Sequence, residues 1–406
     1  MAQWISAAEL EDLVKPGDTV YVGGSTNEPT GLLEQLENTS DLHYIQQPIS
    51  AVNQRDLSGL GENCTQESYF MTPFLKEGLA AKRVRFVPMQ MRAIYDHIEN
   101  KSINVALLFA AKDKNGDLRF GLNNEYISAA ISSSQRVIVE VSDAFVSPIG
   151  SQLVGADADY LFASHTPAAT FPVTVVDQVS AEIGRLVAGL IRDGDCIQTG
   201  IGAVPAAILN SLRDRNDLGL HSGILDEGAM NLIKAGNMNG QNKAIDQGKH
   251  ITGMVLGSQD LLTWLEEEDS VQFRPANYTH EVSVICQLDN FVSINSAVEI
   301  DLFGQVNAEV VNGEQISGTG GSVDFMRAAK ASKGGRSIVA LASTARRGTV
   351  SRLVRQVEMV TALRTDVDIV VTEFGVAELK SASLAERAEA LIQIAHPDFR
   401  GQLADA

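Results

Sequence analysis

Cysteine is scarce in this chain, and what there is stands apart. Cys64, Cys196 and Cys286 are an odd number spread through 406 residues, with no C-x-x-C pair. That pattern excludes a disulfide framework and a cysteine zinc site; a reduced, cytoplasmic setting is expected, with no metal. Positive charge is also short. The 32 lysines and arginines face 51 aspartates and glutamates, a net charge of −19, and no basic stripe forms, so nucleic acid is not an expected partner. An anionic small molecule must find a local positive pocket against that field. No apolar run reaches the length of a membrane span, and the opening MAQWISAAELEDLVKPGD lacks the basic stretch and apolar core of an export leader. No membrane partner is expected.

What is present is enough apolar matter, 44% of the residues, for two well-filled cores, and a length that exceeds what one core usually holds. The organising stretch runs from Gly194 to Gly228. It opens as a strand over Cys196–Thr199, breaks at Gly200 and Gly202, sets Pro205 in the first helical turn, and continues as a helix through Ile208, Leu209 and Leu212. Glycines there let a ligand approach the backbone, and the free N–H groups of the following helix attract an anion or a polarised carbonyl. The same order occurs near the amino terminus, after a Ser6/Glu9 capping box: Gly17-Asp18, Gly23 and Pro29 echo Gly194-Asp195, Gly200 and Pro205. A second pair agrees, since the glycine turn, helix and buried strand ending at Val137–Val141 resemble those from Gly318 to Leu341. The sequence therefore predicts two tandem, similar α/β domains with mostly parallel sheets, over residues 1–175 and 178–406, joined through the proline-interrupted HTPAATFPVTVVDQ. Ligands of such sheets bind beyond the carboxyl ends of the strands, and a cleft between the domains is the expected place.

Several segments together are similar to those of the family I CoA-transferases, in the acetyl-CoA hydrolase/transferase group that includes 4-hydroxybutyrate CoA-transferases. They are GIGAVP at 200–205, ISGTGGSVDFMRAA at 316–329, SKGGRSIVALAST at 332–344, GTVSRLV at 348–354, VVTEFGVAEL at 370–379 and EPTGLLE at 28–34. The resemblance covers essentially the whole chain and implies a two-domain homodimer that exchanges CoA between an acyl-CoA and a small free carboxylate. In the family a glutamate attacks the thioester and carries CoA as a glutamyl thioester, which divides a difficult exchange into easier steps. The resemblance also assigns Gly200, Gly202, Gly318, Gly320 and Gly321 to CoA and its thioester carbonyl, and Lys333 and Arg336 to its phosphates.

The chain departs from the family where the chemistry sits. Its His221-Ser222-Gly223 matches a stretch resembling HSE, so Gly223 stands in the place of the nucleophilic glutamate. His280 falls where an asparagine is usual. Ala110-Ala111 replaces a serine–proline pair, and Ser147–Gly150 a more basic loop. Substitute carboxylates are Glu299, Glu227 and its neighbour Asp226. His221 or His280 could instead activate water, giving an acyl-CoA hydrolase, and Ser222 with His280 is a further nucleophile–base pair, though no G-x-S-x-G surrounds it. A CoA-binding protein without turnover is the third expectation.

Overall fold

The structure, a computed structural model, describes residues 2–405, which fall into two compact units. One runs up to Phe171 and takes in Gly253–Tyr278; the other comprises Pro172–Thr252 and the chain from Thr279 onward. The change of unit at 171/172 falls in the proline-rich crossing, where residues 165–177 form neither helix nor strand. Gly253–Tyr278 belongs to the first unit through backbone hydrogen bonds. Asn124 N–H donates to Gly253 O at 2.9 Å, Val255 to Leu122 at 3.0 Å, Phe273 to Gly150 at 3.1 Å and Ala276 to Glu125 at 2.8 Å.

The duplication read from the glycines appears as topology. In the first unit five parallel strands lie side by side in the order His43–Gln46, Thr19–Val22, Ile103–Lys112, Ser134–Ser142, Tyr160–Ser164. In the second unit Gly219–Leu220, Cys196–Thr199, Phe291–Asn295, Arg336–Ala340 and Ile369–Thr372 take the same places, again all parallel. The first sheet adds parallel strands Thr65–Ser68 and Val84–Phe86 at one end and Gln3–Ile5 at the other, with Leu118–Arg119 antiparallel beside Ile103–Lys112. The second closes on the antiparallel strand Gly375–Glu378.

Helices cover both faces of the first sheet, which explains the unbroken apolar run of its central strand. From Ile103–Lys112, Val105 and Leu107 join a cluster with Leu32, Leu33 and Leu36, whereas Ala106, Leu108 and Ala110 join another with Ile94, Ile98 and Ile127. Burial on that scale contributes about 1.5–3 kcal/mol for each large side chain. In the second unit, helix Ser322–Ala331 splits its residues likewise: Val323 and Met326 pack with Val339, Leu341 and Val370, and Phe325, Ala328 and Ala329 with Cys196, Ile285 and Phe291. These cores fix the parallel strands, and every loop after a strand's carboxyl end reaches the same edge.

Candidate active site

Strand Cys196–Thr199 ends at Gly200, and the turn to the next helix passes through Gly202 with φ +111°, a conformation that penalises any side chain. A Cβ at Gly200 or Gly202 would meet nothing within 4 Å, so no protein atom presses on the turn. Helix Ala203–Asn210 follows with Gly202 as its N-cap and no side-chain cap on its first N–H groups. A second turn of the same kind, Gly318 to Gly321, opens helix Ser322–Ala331. Gly320 has φ +60° and open space at its Cβ, and Gly321 caps without a side chain. This helix ends where strand Phe291–Asn295 begins: Phe291 N–H donates to Ser332 Oγ at 3.1 Å and Asn290 N–H to Lys333 O at 2.8 Å. Ten residues at about 1.5 Å each place its start roughly 15 Å away, on the carboxyl edge with Gly200 and Gly202.

His221-Ser222-Gly223 leaves strand Gly219–Leu220 on that edge, and all three residues are buried. His221 Nε2 donates to Thr279 O at 3.2 Å, since a carbonyl can only accept, and its ring stands edge-on to Phe291. Ser222 Oγ donates to Thr199 O at 3.2 Å and accepts from Ile224 N–H at 3.3 Å, so its hydroxyl is spent on the turn rather than held by a base. His280 lies with its ring centroid 4.5 Å from that of Phe325 and Nδ1 2.8 Å from Thr279 Oγ1. Burial pushes its imidazole down to about 3. It stays neutral at working pH but is a weak base, poorly matched to drawing a proton from water.

That depression carries a pH signature. Between about 3 and the ordinary value of 6.5 the unfolded chain binds a proton at His280 that the folded chain refuses, so stability rises with pH and is lost as pH falls below 6.5. His250, pushed down to about 4 by burial and by Lys243 and Lys249, acts in the same direction. The His280→Gln variant is expected to lose stability on acidification from pH 6.5 to 5 less steeply than the parent, by roughly 1 kcal/mol per pH unit, in urea midpoints. Equal slopes would mean that His280 is not buried in its neutral form.

The carboxylates suggested as substitutes lie in different places. Glu299 belongs to a small separate sheet with Val306–Asn307 and Leu353–Val354, where its Oε1 accepts from Asn307 Nδ2 and Glu358 N–H, both at 3.0 Å. Glu227 is the first residue of helix Glu227–Lys234, an acidic position that complements the dipole. Asp226 caps that helix through Ala229 N–H at 3.1 Å, and burial pushes its carboxyl up to about 6.

Lys333 and Arg336 do not join the glycine turns. They flank the amino end of strand Arg336–Ala340, a helix length from Gly321. Lys333 is 86% exposed and paired to Asp289, while Arg336 is 13% exposed and forms an ion pair with the buried Asp195.

The structure adds groups that spacing did not reveal. Gln198 and Asn295 exchange amide hydrogen bonds at 3.2 Å across the adjacent strands Cys196–Thr199 and Phe291–Asn295, near their carboxyl ends. Glu373 grips Ser343 through its N–H at 2.8 Å and Oγ at 2.6 Å, beyond the next two strands. Glu309, buried, reaches the second glycine turn through Thr319 Oγ1 at 3.5 Å and is held by Gln315 Nε2 at 3.1 Å. The rule that parallel sheets bind at their carboxyl ends could have found the first two; Glu309 is placed by folding of a loop. Among the described residues no cluster of histidine, cysteine and carboxylate side chains could hold a metal ion.

Comparison with known proteins gives a consistent answer. Residues 257–406 match the acetyl-CoA hydrolase/transferase C-terminal domain. The 4-hydroxybutyrate coenzyme A transferase of Clostridium kluyveri is 33% identical over 98% of this chain and 96% of its own length. The butyryl-CoA:acetate CoA-transferase of Anaerostipes caccae is 31% identical over 98% and 94%. Among solved structures, RipA from Yersinia pestis superposes with a TM-score of 0.90 at 31% identity, covering 99% of this chain and 96% of that one.

Proposed function

This chain belongs to the acetyl-CoA hydrolase/transferase family, and from that premise we propose that it transfers CoA from an acyl-CoA to a small carboxylate by direct attack of the acceptor. Its substrates are acyl-CoA and short acids of the acetate, butyrate or hydroxybutyrate type, the class named in the relatives. The observation that carries the reading is the carboxyl edge of the second sheet. Two uncapped helices begin there behind glycines with open space, and Gly223, beside them in the topology, supplies no carboxylate.

The chemistry balances without an enzyme nucleophile. The acceptor carboxylate attacks the thioester carbonyl, the C–S bond breaks, and a mixed anhydride and CoA thiolate remain. The thiolate then attacks the acceptor's carbonyl of that anhydride, which breaks the C–O bond, releases the donor acid and leaves the acceptor as its CoA thioester. Both steps develop an oxyanion, and backbone N–H groups of Gly200 to Ala203 and Gly320 to Val323 are suited to receive it. Burial of the surrounding strands keeps water from the anhydride.

Water activation by histidine is the weaker reading, because His280 is a poor base and His221 is fully buried. Unpaired cysteines, two of them buried, suit a reducing cytoplasm, and a homodimer follows the family likeness. No helix among the described residues is long and apolar enough to cross a membrane.

The test is a panel of acyl-CoAs with and without short carboxylates, followed by mass spectrometry of the products. New acyl-CoA is expected only when an acceptor is present, with sequential kinetics. Acceptor-independent CoA release would support hydrolysis, and no turnover with tight CoA binding would support a binding protein.

A further inference from the structure

Glu125 is a buried carboxyl that the transfer chemistry does not use. It lies in the loop between strand Leu118–Arg119 and helix Ile127–Ser133, is fully buried, and has no hydrogen-bond partner at Oε1 or Oε2 among the described residues. Its backbone is engaged on both sides. The N–H donates to Asn123 Oδ1 at 3.0 Å and the carbonyl accepts from Ala276 N–H at 2.8 Å. Asn27 pins the same loop, accepting from Leu122 N–H at 2.7 Å and donating to Asn123 O at 2.8 Å. The loop thus fixes the carboxyl where nothing bonds it, and an unsatisfied buried polar group of this kind is rare enough in native structures to call for a role.

The place is a seam within the first unit. Gly253–Tyr278 attaches along this loop, with Asn124 N–H on Gly253 O at 2.9 Å, Val255 N–H on Leu122 O at 3.0 Å and Ala276 N–H on Glu125 O. Beyond both ends of the segment, at Thr252 and Thr279, the chain belongs to the second unit. Its hold on the first unit therefore depends on these few backbone bonds and on Ala276, which joins the apolar cluster of Phe120 and Tyr126.

The charged form of Glu125 has no place in the closed seam. Burial alone raises its carboxyl, to about 8, and no charge shifts it, Arg274 on the attached segment included. The titratable groups on the elements packed around it are tyrosines in one cluster with Ala276: Tyr21 from strand Thr19–Val22, Tyr69 after strand Thr65–Ser68, Tyr95 from helix Met91–Glu99 and Tyr126 next in the chain. Burial holds Tyr21, Tyr69 and Tyr95 above the ordinary value, and Glu125 adds to the rise at Tyr21. Glu67, bonded by Tyr69 Oη at 2.7 Å, is pushed up by burial but held at about 2 by Tyr69, Lys101 and His97, with Arg85 also against it. Glu28, in the turn beside Asn27, is bonded by Gln46 and Asn53 instead. Ionised Glu125 is accommodated only where the loop has parted from Ala276 and water reaches the carboxyl.

We infer that Glu125 is a pH-sensitive latch: protonated, it lets the loop close on Gly253–Tyr278, and ionised, it parts the loop from that segment. The open form gives the carboxyl its ordinary value of 4.5, whereas the closed form keeps the proton up to about 8. Between those values opening releases a proton, so the open fraction rises about tenfold per pH unit; above them the closed form ionises too, and the rise stops. The latch acts whichever reaction the second unit performs.

The test is hydrogen exchange of the full chain read by mass spectrometry from about pH 6 to about pH 9.5, where reclosing outpaces exchange, with each rate divided by its intrinsic value. In the wild type, the amides of Asn124, Val255 and Ala276 are expected to lose protection about tenfold per pH unit up to about pH 8 and no further, while strand Phe291–Asn295 of the second unit is unchanged. In Glu125→Gln the profile is expected to be flat. Glu125→Met, which removes the polar atoms, is expected to give the same flat profile and serves where the amide disturbs folding. Seam protection independent of pH in the wild type overturns the latch without any variant, and a slope kept in both variants assigns the opening to another group and overturns it too. Equal loss of protection throughout the first unit, strand Ile103–Lys112 included, shows the unit unfolding whole and overturns a local latch.

Discussion

Replacing Gly223 with glutamate is expected to raise CoA transfer and to create an enzyme–CoA thioester detectable by mass spectrometry. The wild-type chain presents His221 and Ser222 in fixed positions but no side chain at the next residue. A carboxylate there attacks the thioester itself, so the exchange divides into two half-reactions and the kinetics change from sequential to ping-pong. Loss of a nucleophile from an enzyme built around it costs on the order of 10⁶ in kcat; a carboxylate returned to a site not shaped for it recovers part of that, and a gain on the order of a hundredfold is expected. A folded variant that binds CoA yet forms no adduct and shows no gain would place the reacting carbonyl away from Gly223.

Arg336→Met is expected to destabilise the fold by about 3–5 kcal/mol while leaving KM for CoA little changed. Asp195, only 2% exposed at its side chain, accepts from Arg192 N–H at 2.8 Å and faces the Arg336 guanidinium. Burial raises its carboxyl above the ordinary value; the Arg192 N–H and the Arg336 charge pull against that rise. Without Arg336 the rise is larger. The folded form then keeps a proton that the unfolded chain has released, so the variant's stability is greatest in acid and falls as pH climbs through the raised value. Adding Asp195→Asn to Arg336→Met should recover most of the loss, because the uncompensated charge is gone. A large rise in KM with unchanged stability would instead make Arg336 a phosphate ligand. Urea midpoints at two pH values and one KM measurement separate these outcomes.

Much of the architecture was legible because it is written in local chemistry. Gly23 and Pro29 repeat Gly200 and Pro205, and the strands before them occupy equivalent places in two sheets of the same order. The run Ile103–Lys112 is apolar throughout because both faces of its sheet are covered. Ser6 and Glu9 form the reciprocal cap that their spacing suggests, with Ser6 N–H on Glu9 Oε2 at 2.8 Å. The association of Gly253–Tyr278 with the first unit was not legible, since it depends on backbone hydrogen bonds to Leu122, Gly150, Asn124 and Glu125 that leave no mark on residue type. The family resemblance, not the residue pattern, assigns Lys333 and Arg336 to the phosphates of CoA. The structure sets both at the amino edge of the second sheet, because their segment follows a helix and precedes a parallel strand. The place of Glu309 arises from loops folding over one another, which no spacing encodes.

Transfer is separated from hydrolysis most directly by the oxygen in the acid released from the donor acyl-CoA. With wild-type protein, unlabelled donor and acceptor, and water enriched in oxygen-18, direct transfer gives a donor acid free of the label, because its new oxygen comes from the acceptor carboxylate. One labelled oxygen in every released acid would show that water is the nucleophile and would contradict the transfer mechanism.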